Sequence, residues 1–218
     1  MSTLIYTPEL LFNAHPTLSA CRDDIAQAQE LMLRTARSGG TMLICGNGGS
    51  CADADHMVGE LMKGFLLRRP MNTETQQVFD NALGAEAALP FKQKLQGGIR
   101  AISLCAQSAV LSAYANDVDA AYVYAQMVYG YAKPGDLFIG FSTSGNSANV
   151  VNAAKAAKAL GISTLALTGE KESRLSAICD CTVRVPECET YRVQELHLPV
   201  YHHLCATVEQ AMFGEGKA

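Results

Sequence analysis

The chain has 218 residues, of which 49% are hydrophobic and 17% charged, which is enough apolar content for a real core and too much for disorder. A formal net charge of -4 gives no general attraction to nucleic acid or an anionic membrane, so an anionic ligand would need local positive potential. The length fits one domain over residues 1–218.

In chain order, "DDIAQAQELMLRTARSG" (23–39) repeats apolar residues at three and four and stops at Gly39-Gly40, so the region of about 7–39 reads as a helical N-terminal segment. "TMLIC" (41–45) is a strand buried on both faces, and "SCADADHMVGELMKGF" (50–65) a helix with Ser50 as its N-cap. Residues 66–98 fit the alternation poorly and read as an insertion, helical over 73–88, with Pro90 and Gly97-Gly98 as breaks. A second strand (99–105), helices over 108–116 and 119–132, a third strand (136–142), a helix (146–161), a fourth strand (163–168) and a short fifth (181–185) follow. The chain closes on a long helix over 191–214. Strands separated by helices predict a parallel five-stranded sheet between two helical layers, a three-layer αβα architecture with the ligand beyond the carboxyl ends of the strands.

The N-terminus has neither a basic leader nor a long apolar run, and no stretch approaches the roughly 18 apolar residues of a membrane span. The eight cysteines, several inside apolar runs, read as reduced thiols of a cytoplasmic protein.

Two turns carry an anion signal. "CGNGGS" (45–50) ends the first strand and opens a helix, so Gly48 and Gly49 can expose backbone N–H groups to an incoming anion. It lacks the third glycine of the dinucleotide fingerprint and the lysine of a P-loop, so no nucleotide cofactor is expected. A tight turn without a ligand would look the same. "STSGNS" sets Ser142, Thr143, Ser144 and Ser147 around Gly145 at another helix start, more hydroxyls than one cap requires. Thr168 ends the next strand and can add one more.

His56 and Glu60 are four apart and share one helix face; Gln194 and His202, eight apart, diverge by only about 80° and share a broad face. Each pair alone reads equally as a surface pair or a core histidine. Together they make a four-ligand set suited to zinc, or a carboxylate base with an imidazole acid.

"CGNGGSCADADH", "GEL", "STSGNSANV", "LALTG" and "VQELHLPVYH" together resemble the sugar isomerase (SIS) family, and within it the phosphoheptose isomerases. The resemblance implies the SIS fold with flavodoxin-like (Rossmann-like) topology. It implies interconversion of sedoheptulose 7-phosphate and the aldoheptose 7-phosphate through an enediol. It also implies a phosphate site of Ser50, Ser142, Thr143, Ser144 and Ser147; sugar contacts from Asn47 and Asp117; Glu60 as base and His202 as its acid–base partner. A zinc site of His56, Glu60, Gln194 and His202 is implied too, as is a homotetramer, built partly through the long terminal helix, whose sites are completed by neighbouring subunits. The alternative is a non-catalytic member that senses a phosphosugar or regulates a protein partner, as the replication-initiator-binding relatives do. Such members tend to lose the acid–base pair, which Glu60 and His202 retain here. Three departures stand out: the 66–98 insertion where the family has a short link, Gly59 where it usually has an acid, and Pro199 between Gln194 and His202.

Overall fold

The computed structural model describes residues 6–214. Five parallel strands, β1 (Met42–Cys45), β2 (Ala101–Ser103), β3 (Leu137–Phe141), β4 (Ser163–Thr168) and β5 (Cys181–Arg184), stand in the order β2-β1-β3-β4-β5. The order reverses between β1 and β3, which register Met42 with Leu137 and Cys45 with Gly140. A sheet of this order places its ligand crevice at that reversal.

Alternate residues of each strand face opposite layers. Met42, Ile44, Leu137, Ile139, Leu165 and Leu167 face one core, with α1 (Pro8–Ala14), α2 (Arg22–Arg37), α3 (Gly49–Met62) and α9 (Thr190–Phe213). Leu43, Cys45, Phe138 and Ala166 face the other, with α7 (Val123–Tyr131) and α8 (Ala148–Ala159). Each of these strand residues is fully buried, which stabilises the fold by roughly 1.5–3 kcal/mol per large aliphatic side chain. The expected helical N-terminal segment is α1, a 3₁₀ turn (Pro16–Cys21) and α2. All eight cysteines are unpaired, and no helix among the described residues is long and apolar enough to cross a membrane.

Two local expectations are corrected. Ser50 is not the cap of α3; Gly48 is, at φ 56°, a left-handed backbone that glycine adopts without strain, and Ser50 is buried in the first turn. The insertion is two helices, α4 (Thr73–Leu83) and α5 (Ala85–Lys94), broken at Gly84 (φ 80°) and not at Pro90, which lies inside α5. The long terminal helix is found as expected, with α9 running unbroken through Pro199.

Candidate active site

α3 and α9 lie side by side and run in the same direction. Gln194 packs on Gly49, where a Cβ would come within 2.6 Å of its Nε2. The Tyr201 hydroxyl meets Asp53 Oδ1 (3.4 Å) and His56 Nδ1 (2.9 Å), and His202 Nε2 stands 3.5 Å from His56 Nε2. Further on, the Glu209 carboxylate accepts from the backbone N–H groups of Phe65, Leu66 and Leu67 at 2.7–3.1 Å.

The centre of this seam is a set of electron-rich atoms. His56 Nε2 is 3.1 Å from Glu60 Oε1, and Lys63 Nζ donates to Glu60 Oε2 at 3.0 Å. Glu60 and His202 are thus joined through His56, although 142 positions apart in the chain. Partial burial pushes the Glu60 carboxyl upward, but the Lys63 ammonium and the His56 ring outweigh it, so the group stays below the ordinary range and is ionised at neutral pH. Burial first, and the neighbouring His56 second, lower the His202 imidazole, which is therefore neutral there. An ionised carboxylate beside a neutral imidazole is the pairing that proton transfer needs.

Among the described residues no group of three or more His, Cys, Asp or Glu forms a ready metal cage. His56, Glu60 and His202 carry donor types that zinc takes, two imidazole nitrogens and a carboxylate oxygen in contact at 3.1 and 3.5 Å, without being arranged as such a cage. Gln194 is not with them. It sits at the glycine turn, about 12 Å along the α9 axis from His202.

The glycine turn lies at the floor of the seam. Tyr124 of α7 donates to Gly46 O at 2.7 Å and pins the turn. At the β1/β3 reversal, Asn47 and Asn149 exchange two amide hydrogen bonds of 2.9 Å, tying the β1 turn to the first turn of α8. In the 142–147 loop Ser142 Oγ donates to Ser147 Oγ at 3.0 Å and Ser144 Oγ accepts from Asn146 N at 3.2 Å. Thr143 and Ser144 line a cleft of about 230 Å³ together with Lys171 and the carboxylates of Glu170, Glu172 and Glu187. Gly169 N donates to Thr143 O, and a Cβ on Gly169 would meet Val193, so this loop and the start of α9 share one wall.

Thr168 is fully buried and its hydroxyl donates to Gly169 O at 3.0 Å, so it builds the wall without offering a hydroxyl to the cleft. Asp117 lies apart, exposed in a π-helical turn (Ala115–Asp119) that follows α6 (Ser108–Tyr114), with Asn116 donating to it at 2.8 Å. The other two histidines of α9 belong to the core. His197 and His203 are buried, each pushed down to about 4, chiefly by desolvation, and His197 Nε2 donates to Thr168 O at 3.3 Å.

Sequence reasoning missed Asn149, Tyr201 and Asp53. Asn149 and Asp53 stand inside the quoted motifs "STSGNSANV" and "CGNGGSCADADH", and Tyr201 directly precedes His202, but only tertiary packing gives them partners, α3 on α9 for Asp53 and Tyr201 and α8 against the β1 turn for Asn149.

Comparison with known proteins agrees with this architecture. The SIS domain family matches residues 105–204, and a second SIS domain family matches residues 13–89. The chain is 34% identical to a phosphoheptose isomerase of Rhodospirillum rubrum over 195 residues, 89% of each chain. It is 38% identical to one of Mycobacterium tuberculosis over 177 residues, 81% of this chain and 76% of that one. Solved phosphoheptose isomerases superpose on it: that of Neisseria gonorrhoeae with a TM-score of 0.66 at 32% identity over 84% of both chains, and that of Francisella tularensis with 0.70 at 27% over 86% of both. With the sheet order, the two glycine turns and these likenesses in agreement, the chain belongs to the SIS domain family, among its phosphoheptose isomerases.

Proposed function

We propose that this protein is an aldose–ketose isomerase that converts sedoheptulose 7-phosphate to D-glycero-D-manno-heptose 7-phosphate through an enediol. The observation that carries the reading is the meeting of Glu60 with His202 through His56, on a helix that starts at an anion-binding turn.

The chemistry follows from the groups. The ester phosphate docks against the Ser142, Thr143, Ser144 and Ser147 hydroxyls and the N–H groups that open α3 and α8, at Gly48 and Gly49 and after Ser147, while the Ser50 N–H is taken up by Asn47 O. Asn47 and Gln194 hold sugar hydroxyls above it. His56 lies about 10 Å along α3 from Gly49, which leaves space for a carbon chain between a phosphate at the turn and a carbonyl at the imidazoles. Anchoring the phosphate fixes the reacting carbons and lowers the entropic barrier. Ionised Glu60 takes the proton from the carbon next to the carbonyl and returns it to the neighbouring carbon; the His202 imidazole gives and takes the hydroxyl proton.

Zinc, if held by His56, Glu60 and His202, would polarise the carbonyl oxygen; Gln194, the fourth ligand the family resemblance implies, stays at the glycine turn and is not counted among them. Asp117, distant from the seam, would serve the site of an adjoining copy in a homotetramer. Eight unpaired thiols support a cytoplasmic location. A non-catalytic phosphosugar sensor remains the second reading, and it is disfavoured by the retained Glu60–His202 pair.

The test is incubation with a panel of five- to seven-carbon ketose phosphates, followed by NMR for the aldose and for exchange of the C1/C2 hydrogen with solvent. Binding without conversion or exchange for every substrate rejects the isomerase in favour of the sensor.

A further inference from the structure

We infer that the cavity at the root of the α4–α5 hairpin is a binding site for an amphipathic organic anion, a molecule with an apolar chain or ring and one carboxylate or phosphate head. The site lies outside the α3–α9 seam, shares no lining residue with the 142–147 cleft, and does not depend on the reading of the protein as an isomerase.

The cavity opens between the segment leading into α4, the end of α5 and the last turn of α9, and holds about 610 Å³. Ligand pockets typically measure about 300–1,000 Å³. Its walls are fixed without a ligand. Pro70 bridges to Gln96, Gly97 N donates to Arg69 O at 2.7 Å, and Gln96 Oε1 accepts from Gly64 N at 2.8 Å. On the α9 side the Arg69 guanidinium lies over the Phe213 ring at 4.9 Å while Arg69 Nε donates to Glu209. A Cβ on Gly97 would come within 2.8 Å of the Phe213 ring, so hairpin root and helix end meet closely beside the cavity.

Two properties of the lining choose the ligand. Met71, Phe79, Leu95, Met212 and Phe213 supply apolar surface, and each stays half-buried or exposed. An apolar group seated there takes that surface out of water, which favours binding. The charge is one-sided. The whole chain carries 21 acidic and 17 basic residues, yet the lining contains Arg68 and Arg69 and no Asp or Glu. Arg69 is neutralised by Glu209. Arg68 is exposed and makes no hydrogen bond or ion pair among the described residues. Its guanidinium can grip a carboxylate or phosphate through two parallel N–H donors. Thr73 and Thr75, also in the lining, stand in the first turn of α4, where a helix favours negative charge; Glu74 of that turn is exposed and outside the lining. A cation would find no counter-charge here, and a bare phosphate would leave the apolar wall wet. An apolar chain needs no fixed hydrogen-bond geometry from the hairpin.

The test is methyl NMR of the full chain carrying ¹³C-labelled methionine methyls, titrated with octanoate and octyl phosphate, with 1-octanol and inorganic phosphate as the two half-ligands. Met71 lines the cavity from the hairpin root and Met212 from α9, and Met71→Leu and Met212→Leu assign their signals. Both signals should move saturably with octanoate and octyl phosphate, while that of Met127, buried in the core on the other face of the sheet, stays in place. Arg68→Gln, at an exposed position outside the Arg69–Glu209 pair, should keep the melting temperature. It should weaken both anions about 10-fold, the low end for a charge-assisted contact, and leave 1-octanol unchanged. Equal affinity of octanoate for Arg68→Gln and wild type overturns the inference, as does 1-octanol binding as tightly as octanoate, or inorganic phosphate moving both signals alone. No saturable movement of Met71 and Met212 with any probe also overturns it, whether the cavity rejects them or another copy of the chain fills it.

Discussion

The α3–α9 seam and the α4–α5 hairpin are both pairs of neighbouring helices, yet they differ in what their apolar residues do. Along α9, Val193, Val200, Tyr201, Leu204, Cys205 and Val208 are buried, and Tyr201 and His202 reach partners on α3. In the hairpin nothing on α4 is buried and only Ala88 on α5 is, while Val78 is 62% exposed and Leu83, Leu89 and Phe91 are open as well. The hairpin holds itself together through Phe79 against Phe91 and a Lys92–Asp80 ion pair of 2.6 Å. Its two ends are brought together by the Pro70–Gln96 bridge and by Gly97 N donating to Arg69 O. A helix pair set against a sheet can fix side chains to within hydrogen-bond distance. One without a third layer cannot, and the candidate site lies in the first.

The predictions test that contrast from its strongest point downward. Glu60→Gln should lower turnover about 10²–10⁴-fold, the scale of a lost general base, and end exchange of the C1/C2 hydrogen with solvent, with phosphate-ester binding nearly unchanged. Turnover within a few fold of wild type would remove Glu60 from its role.

Next comes the joint between the two regions. Arg69 and Glu209 form a fully buried ion pair at 2.7 Å, and Arg69 also donates to the carbonyls of Leu61 and Glu60 at the end of α3. Glu209→Ala leaves a buried guanidinium and three backbone N–H groups without their acceptor. It should cost about 3–5 kcal/mol, read as a fall in melting temperature of roughly 10 °C; a fall below 2 °C would show the joint to be slack.

The pH dependence of stability should report the buried side of α9. His197 and His203 fold with their values lowered to about 4, against about 6.5 when unfolded. Their contribution is therefore complete above pH 6.5 and is lost as pH falls toward 4, by about 2 kcal/mol each at pH 5. His203→Phe, set between Tyr6 and Phe12, should flatten the loss between pH 7 and 5 in thermal melts; an unchanged slope would place the titration elsewhere.

The smallest effect belongs to the hairpin. Val78→Lys should change stability by less than about 0.5 kcal/mol, as for an ordinary surface position, and replacing residues 71–95 with a short glycine–serine link should leave the melting transition cooperative. A drop in thermal stability on adding Lys at 78 would mean that this face is covered in solution.

The amino-acid pattern alone determined the parallel sheet, the glycine turns and which residue types could do chemistry. Continuous apolar runs can be satisfied only by strands buried on both faces, and His56–Glu60 spacing is a property of any helix. It also marked the hairpin as foreign to the repeat, though not its break, because Gly84 needs a left-handed backbone that composition does not announce. Only the tertiary structure decided that α9 lies alongside α3, which brings His202 and Tyr201 to His56 and sends His197 and His203 into the core. The same packing kept Gln194 at the turn and turned Thr168 inward. Spacing along one helix sets direction, whereas contact between residues 142 positions apart depends on how two helices settle on a shared sheet.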